Sequence, residues 1–309
     1  MSDQTLAFVF PGQGSQKVGM LADIAEQHAV VQETFAEASD ALAYDLWDLI
    51  QNGEQEQLNL TERTQPILLT ASVALWRVWE QQGGARPAMM AGHSLGEFSA
   101  LVCAGSLAFA DAVTLVRDRG QFMQTAVPVG EGAMAAVLGL DDEVIIDICQ
   151  QTGAEAVNFN SPGQVVIAGK VAAVDQAIVL LKEAGAKRAM PLPVSAPFHT
   201  SLMRPAGEKL AEKVAELAVS APATPVVHNV HAQTESEPEK IKTLLVEQIY
   251  SPVKWTSCIQ TMAAAGISNT LECGPGKVLG GLSRRIDRSL SSFSIEDPAG
   301  LEKALAEFN

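Results

Sequence analysis

The 309-residue chain has no apolar run long enough to span a bilayer, and its opening MSDQTLAFVF lacks a basic lead and a small-residue cleavage site. Neither a membrane protein nor a secreted one is expected. Cysteine is scarce. Cys103, Cys149, Cys258 and Cys273 lie far apart and form no CxxC, so they read as reduced thiols in a cytoplasmic protein. Positive charge is short as well: 21 Lys and Arg against 36 Asp and Glu leave a formal charge of −15. That balance argues against nucleic acid or an anionic membrane as a partner. Charged residues make up only 18% of the chain, too few for disorder, and 47% is hydrophobic, ample for a sizeable core. There is no internal repeat and no low-complexity segment. The length suits one large domain carrying an insert, or two modest domains.

What is present is an alternation of short apolar runs and helical stretches. Leu6–Phe10 reads as a buried strand stopped by Pro11-Gly12, and Ala88–Gly92 as a second. Between them the spacing predicts a helix over 65–82, with Pro66 in its first turn and Gly83-Gly84 as its stop. A helix over 95–103 follows the second strand at once, and strand, turn and helix in that order mean α/β. From 132 to 194 the pattern changes. Strand 133–140, helix 141–151 capped by Asp141, strands 156–159 and 165–168, helix 172–184 and strand 189–194 make βαββαβ, a ferredoxin-like unit. The α/β pattern then resumes with helix 205–217, strand 226–230, helix 238–249 and strand 270–273, and 231–238 is a solvated loop. The units expected are 1–128 with 197–309, and an inserted 129–196.

Gly92-His93-Ser94-Leu95-Gly96 matches GxSxG between a strand and a helix, the context that turns a weak pattern into a nucleophile elbow. The turn strains Ser94, the two glycines remove side chains that would clash, and the helix amide of Leu95 is free to help hold an oxyanion. A serine needs a base. His28 lies in a polar surface segment, and His93 adjoins the serine and is directed away from its hydroxyl. His228 and His231 are expected on opposite faces of a strand and make a poor metal pair. Elimination favours His199, in a loop after the inserted unit where domain junctions form clefts, although spacing alone does not decide it.

Residues 111–125 read as a helix whose apolar stripe of Ala112, Leu115, Val116, Phe122 and Met123 contains Arg119. A guanidinium on the inner face requires a partner. It pairs either with an internal Asp or Glu or with a substrate carboxylate, and the proximity of the Ser94 turn favours the second. Lys187-Arg188 and Lys277 with Arg284-Arg285 are the only basic clusters, either a local docking field or scattered solvated charges.

Phe10-Pro-Gly-Gln-Gly-Ser-Gln16, Gly92-His-Ser-Leu-Gly-Glu97, Arg119-Gly-Gln-Phe-Met123, Asn158-Phe-Asn-Ser-Pro-Gly-Gln164, Pro197-Phe-His199 and Gly274-Pro-Gly276 occur in an order that resembles the malonyl-CoA:acyl carrier protein transacylases of bacterial type II fatty acid synthesis. The resemblance covers essentially the whole chain. It implies an α/β-hydrolase-like core with a ferredoxin-like insert. It also implies a ping-pong transfer of malonyl from coenzyme A to phosphopantetheinylated acyl carrier protein, with no cofactor and no metal. By position, Ser94 is similar to the acyl-accepting nucleophile, His199 to its base and later acid, and Arg119 to the arginine that grips the malonyl carboxylate. Gln13 and Leu95 resemble the two oxyanion amides, and Gln248 the residue whose carbonyl holds the second histidine nitrogen. Phe198 departs from the smaller residue several relatives carry, which bears on pocket width and not on the chemistry. A serine hydrolase of lipase or patatin type, a transferase for another acyl group, and a non-enzymatic scaffold are the competing readings.

Overall fold

A computed structural model describes residues 2–194 and 196–309; Met1 and Ser195 fall outside it. Nine strands are described: β1 Ser2–Phe10, β2 Arg86–Gly92, β3 Gly132–Leu138, β4 Glu155–Ser161, β5 Gln164–Lys170, β6 Arg188–Pro191, β7 Val226–Val227, β8 Asn269–Glu272 and β9 Ser291–Ser294. They form two sheets. The larger is parallel throughout, in the order β7-β2-β1-β8-β9, and the smaller is antiparallel, in the order β4-β5-β3-β6.

The central position of β1 explains its unbroken apolar run. Leu6, Phe8 and Phe10 face one layer, packed with the helices Val30–Leu42, Thr61–Gln81 and Phe109–Thr125. Ala7 and Val9 face the other, with Trp255, Ile259, Leu279 and Leu282 of the helices Trp255–Ala264 and Val278–Ile286. Successive residues of a strand point to opposite faces, so a strand covered on both sides has no polar face to offer. The smaller sheet works differently. One face holds its own core of Val137, Ile145, Ile167 and Leu181 under the helices Asp142–Thr152 and Val171–Glu183. Met134, Val157, Val166 and Ala168 on its other face join the large core. A backbone seam adds to this: Phe159 N–H donates to Val253 O at 3.0 Å and Val253 N–H to Val157 O at 2.8 Å.

Several boundaries differ from the sequence expectation. The helix expected from 65 begins at Thr61, so Pro66 sits inside it. A proline there forfeits its bond to the Glu62 carbonyl and crowds that carbonyl with its ring, a local cost within the first turns that the buried helix carries. Asp141 occupies the N-cap position of the next unit's first helix without accepting a capping bond through its side chain. β6 ends at Pro191, with one further bond to β3 from Leu192 N–H to Met134 O at 2.9 Å, and β7 is two residues long. Within the loop 231–238, Ala232 is buried at φ 56° and packs in the second core.

The parallel arrangement brings the ends of β1 and β2 to one edge, where Phe10 pairs with Gly92. Crevices at the carboxyl ends of parallel strands are where such sheets hold ligands. There Ser94 adopts φ 50°, ψ −108°, leading directly into the helix Leu95–Cys103. A Cβ on Gly92 would overlap the Gly96 carbonyl, and one on Gly96 would lie 2.7 Å from the Phe10 carbonyl carbon. Gly96→Ala is expected to destabilise the protein by about 3 kcal/mol, the upper end of overpacking costs. A urea midpoint unchanged from the parent would mean that the turn relaxes without cost.

Candidate active site

Ser94 stands at the end of β2 with its hydroxyl raised into a cavity of about 460 Å3 between the two sheets. His199 arrives from the other side, on the buried loop that follows the smaller sheet, and it too holds a positive φ, 64°. Its Nε2 lies 2.8 Å from Ser94 Oγ, and its Nδ1 lies 2.9 Å from the Gln248 backbone carbonyl. A carbonyl only accepts, so Nδ1 carries the proton and Nε2 presents its lone pair to the serine. Burial first, and the nearby Arg119 charge second, push the imidazole pKa down to about 3 against the bond from Gln248. The resting ring is neutral and free to take a proton.

Arg119 is 1% exposed. Its Nη1 donates to Gln65 Oε1 at 2.7 Å, and its Nη2 donates to Gln248 Oε1 at 2.7 Å and to Ser94 Oγ at 3.2 Å. The guanidinium lies over Phe98, 5.2 Å from the ring centroid. Among the described residues no carboxylate forms an ion pair with it, so the internal-pair alternative drops out. Burial lowers its pKa to about 10, opposed by the charge of Glu97. Gly120 explains how Gln65 reaches it: a Cβ there would meet the Thr61 carbonyl at 2.5 Å, so only glycine lets the two helices approach this closely.

Gln13 and Leu95 both line the cavity. Leu95 is the first residue of its helix, where amides have no intrahelical acceptor. The Gln13 loop is tied by Gly14 N–H to Gln16 Oε1 at 2.8 Å and by Gln16 Nε2 to Asn59 Oδ1 at 2.9 Å. Met123, Met134, Leu192 and Phe198 give the cavity an apolar wall.

Other placements match expectation in part. His93 is among the residues lining the cavity, but as expected it is not on the serine hydroxyl: its Nε2 lies 2.8 Å from Asn160 Oδ1. His228 and His231 do not diverge: β7 has already ended, the chain turns, and the rings meet edge to face at 5.9 Å. Arg285 Nη1 donates to Gln164 Oε1 at 2.8 Å, and Gln164 and Arg188 flank Leu138 from the two neighbouring strands, so Lys187-Arg188 and Arg285 belong to the same end of the smaller sheet. Lys277 is instead neutralised, 3.2 Å from Asp297 and 3.4 Å from Glu296. Three polar residues that the sequence reading did not single out also belong here: Gln65, Asn229 and Glu97. Asn229 Oδ1 accepts from Ser94 N–H at 2.8 Å, and its Nδ2 donates to Gly92 O at 2.8 Å, clamping the elbow.

A serine on a strained strand-to-helix turn, a neutral imidazole at its oxygen and a desolvated arginine beside both define the class of serine acyl-transfer proteins. Within that class the chain belongs to the acyl transferase domain family, whose model matches residues 7–284, and there to the malonyl CoA-acyl carrier protein transacylases. It is 58% identical over 303 residues to the malonyl CoA-acyl carrier protein transacylase of Escherichia coli K12, covering 97% of this chain and 98% of that one. It also resembles the crystal structure of an acyl carrier protein S-malonyltransferase from Vibrio cholerae, with TM-score 0.96, 57% identity and coverage of 97% and 99%. A malonyl-transacylase solved in complex with a type II polyketide acyl-carrier protein gives TM-score 0.97 at 52% identity, with coverage of 98% and 99%.

The imidazole of His199 is expected to stay neutral far below the ordinary histidine range. Histidine NMR should record no titration of this ring near pH 6.5, the usual value. Removing one cause of the depression, in Arg119→Ala, should move its titration upward. A His199 ring that charges near pH 6.5 in the parent would refute this account of its environment.

Proposed function

We propose that the chain transfers malonyl from coenzyme A to the phosphopantetheine thiol of acyl carrier protein, by a ping-pong mechanism through an ester on Ser94, and so supplies fatty acid biosynthesis. The observation that carries this reading is a pair of contacts on one oxygen: Ser94 Oγ lies 2.8 Å from His199 Nε2 and 3.2 Å from Arg119 Nη2. The first contact suits proton removal. The second puts a positive charge with no carboxylate partner within reach of the far end of a short acyl group.

In the first half-reaction, Ser94 Oγ attacks the thioester carbonyl as its proton passes to His199 Nε2. The amides of Gln13 and Leu95 hold the tetrahedral oxyanion, each worth roughly 3 kcal/mol in comparable sites. The C–S bond then breaks, and the imidazolium returns its proton to the coenzyme A sulfur. The carrier thiol repeats the sequence backwards. The Gln248 carbonyl, on Nδ1, steadies the imidazolium in both directions. A thioester exchanged for an ester is nearly even in free energy, so the reaction needs no nucleotide hydrolysis, cofactor or metal.

Residues 1–128 with 197–309 form the catalytic unit in this reading and 129–196 the ferredoxin-like one, a division supported by the membership of the two sheets. Docking of a carrier protein on a chain of formal charge −15 is supported by the exposure of Lys187, Arg188, Arg284 and Arg285. A cytoplasmic location is supported by four free cysteines and by the finding that, among the described residues, no helix is long and apolar enough to cross a membrane.

Intact mass after incubation with malonyl-CoA is expected to rise by one malonyl group in the parent and not in Ser94→Ala. A parent without the adduct, or a variant with it, overturns the reading, and release of the adduct to water faster than to carrier thiol would favour a hydrolase. Arg119→Ala is expected to lose malonyl transfer by about 100-fold, the worth of two hydrogen bonds to a charged group. It should keep activity on uncharged acyl groups, so an equal loss for both would make Arg119 a structural residue.

A further inference from the structure

Glu97 has no part in the reaction just described, yet it is 0% exposed and lies one helical turn below the serine. Three donors converge on its carboxylate. His228 Nδ1 lies 2.7 Å from Oε1, and Oε2 takes the Asn229 N–H at 3.0 Å and Gln248 Nε2 at 2.9 Å. A carboxylate accepts all three; a carboxamide can keep them only with its NH2 turned to His228, which shifts that ring's proton to Nε2, a buried atom with no hydrogen-bond partner among the described residues. Burying such an ion is costly unless its partners are good, so the position is a demanding one.

Two of the three partners lead straight to the reacting groups. Asn229 bonds the Ser94 N–H and the Gly92 carbonyl, the two backbone groups that define the elbow. Gln248 supplies its backbone carbonyl to His199 Nδ1 and its side-chain oxygen to Arg119, while its Nε2 also donates to Ser94 O at 3.0 Å. Acceptors at Glu97 and Ser94 demand the NH2 of Gln248, and the donor-only Arg119 demands its oxygen. The carboxylate therefore fixes which way that amide points, and with it the guanidinium.

We propose that Glu97 is the positioning residue of the site: through Gln248 and Asn229 its carboxylate holds the base, the arginine and the serine turn in one mutual geometry. This rests on the acyl-transfer reading of Ser94. Catalytic groups displaced by as little as 1 Å lose rate steeply, while a substrate still finds its cavity. Removing the carboxylate then lowers kcat and leaves KM for malonyl-CoA nearly untouched.

The test is Glu97→Gln, with rates expressed per serine able to take up malonyl, so that any unfolded fraction is excluded. The expected result is a kcat lowered at least 30-fold, a KM within threefold of the parent, and a changed Nδ1–H resonance of His199. His228→Gln removes the partner that leads away from the serine, and is expected to lower thermal stability while kcat stays within threefold. Should Glu97→Gln not fold, Glu97→Asp keeps the charge but withdraws it by a methylene, and its kcat must then fall at least tenfold. Turnover within threefold of the parent in Glu97→Gln, or in Glu97→Asp in its place, overturns the proposal. So does a loss in His228→Gln as large as that in the Glu97 variant. A parent that takes up no malonyl fails the functional reading instead, and is told apart by its missing adduct.

Discussion

The site is arranged around a buried guanidinium that, among the described residues, forms no ion pair with a carboxylate. An ion withdrawn from water costs several kcal/mol even after relaxation unless it is paired. Arg119 recovers part of this through amide oxygens of Gln65 and Gln248 and through the face of Phe98. Neutral acceptors leave its charge without a direct partner, the Glu97 carboxylate acting on it only from beyond Gln248. In the function proposed above, an acyl group that brings its own carboxylate would complete the pair, and one that does not would leave the cost standing. Selectivity of this kind comes from an incomplete interaction in the resting protein, not from the shape of the cavity alone.

The same charge conditions the base. Arg119 and His199 both touch Ser94 Oγ, so a positive charge on the imidazole is disfavoured twice, by burial and by its neighbour. The Gln248 carbonyl on Nδ1 works the other way and sets the tautomer. Holding these three groups together requires elements distant in sequence: the turn after β2, the helix Phe109–Thr125, the loop after β6 and the 3-10 turn Gln248–Tyr250. Two devices make that possible. Glycines at 92, 96 and 120 let backbones pass where a Cβ would collide, and the Val253 seam locks β4 against the larger unit beside the cavity.

Much of this was legible because the signals were local. The apolar run of β1, the GxSxG turn and the place of Arg119 on an apolar stripe each follow from residues within a few positions of one another. The order of strands and helices in the insert could be read for the same reason, with boundaries off by one or two residues and more at β6. What stayed hidden depends on contacts far apart in the chain. The helix Val30–Leu42 was not assigned, since its inner face interrupts its apolar residues with Thr34 and Ala38, and packing on the helices Thr61–Gln81 and Phe109–Thr125 buries it. Glu97 looked like an ordinary acidic residue in a helix's first turn. Its burial is decided by His228 and Asn229, more than 130 positions on. The two histidines were assigned to opposite faces on the premise of a strand that stops at Val227.

A transferase that holds its acyl group on a serine must prefer a thiol to water, and the depressed basicity of His199 bears on that choice. At about 3, the imidazole has little affinity for a proton at rest. A thiol near 8.5 asks far less of such a base than water does at 15.7. A weak base therefore slows attack by water more than attack by a carrier or coenzyme thiol. Serine meets the same weak base, and its offset is orientation: its hydroxyl is already held at 2.8 Å in a strained turn before the proton moves. In the function proposed above, low basicity, apolar walls and a pre-oriented hydroxyl would act in one direction, favouring a thioester or a thiol over water as the reaction partner.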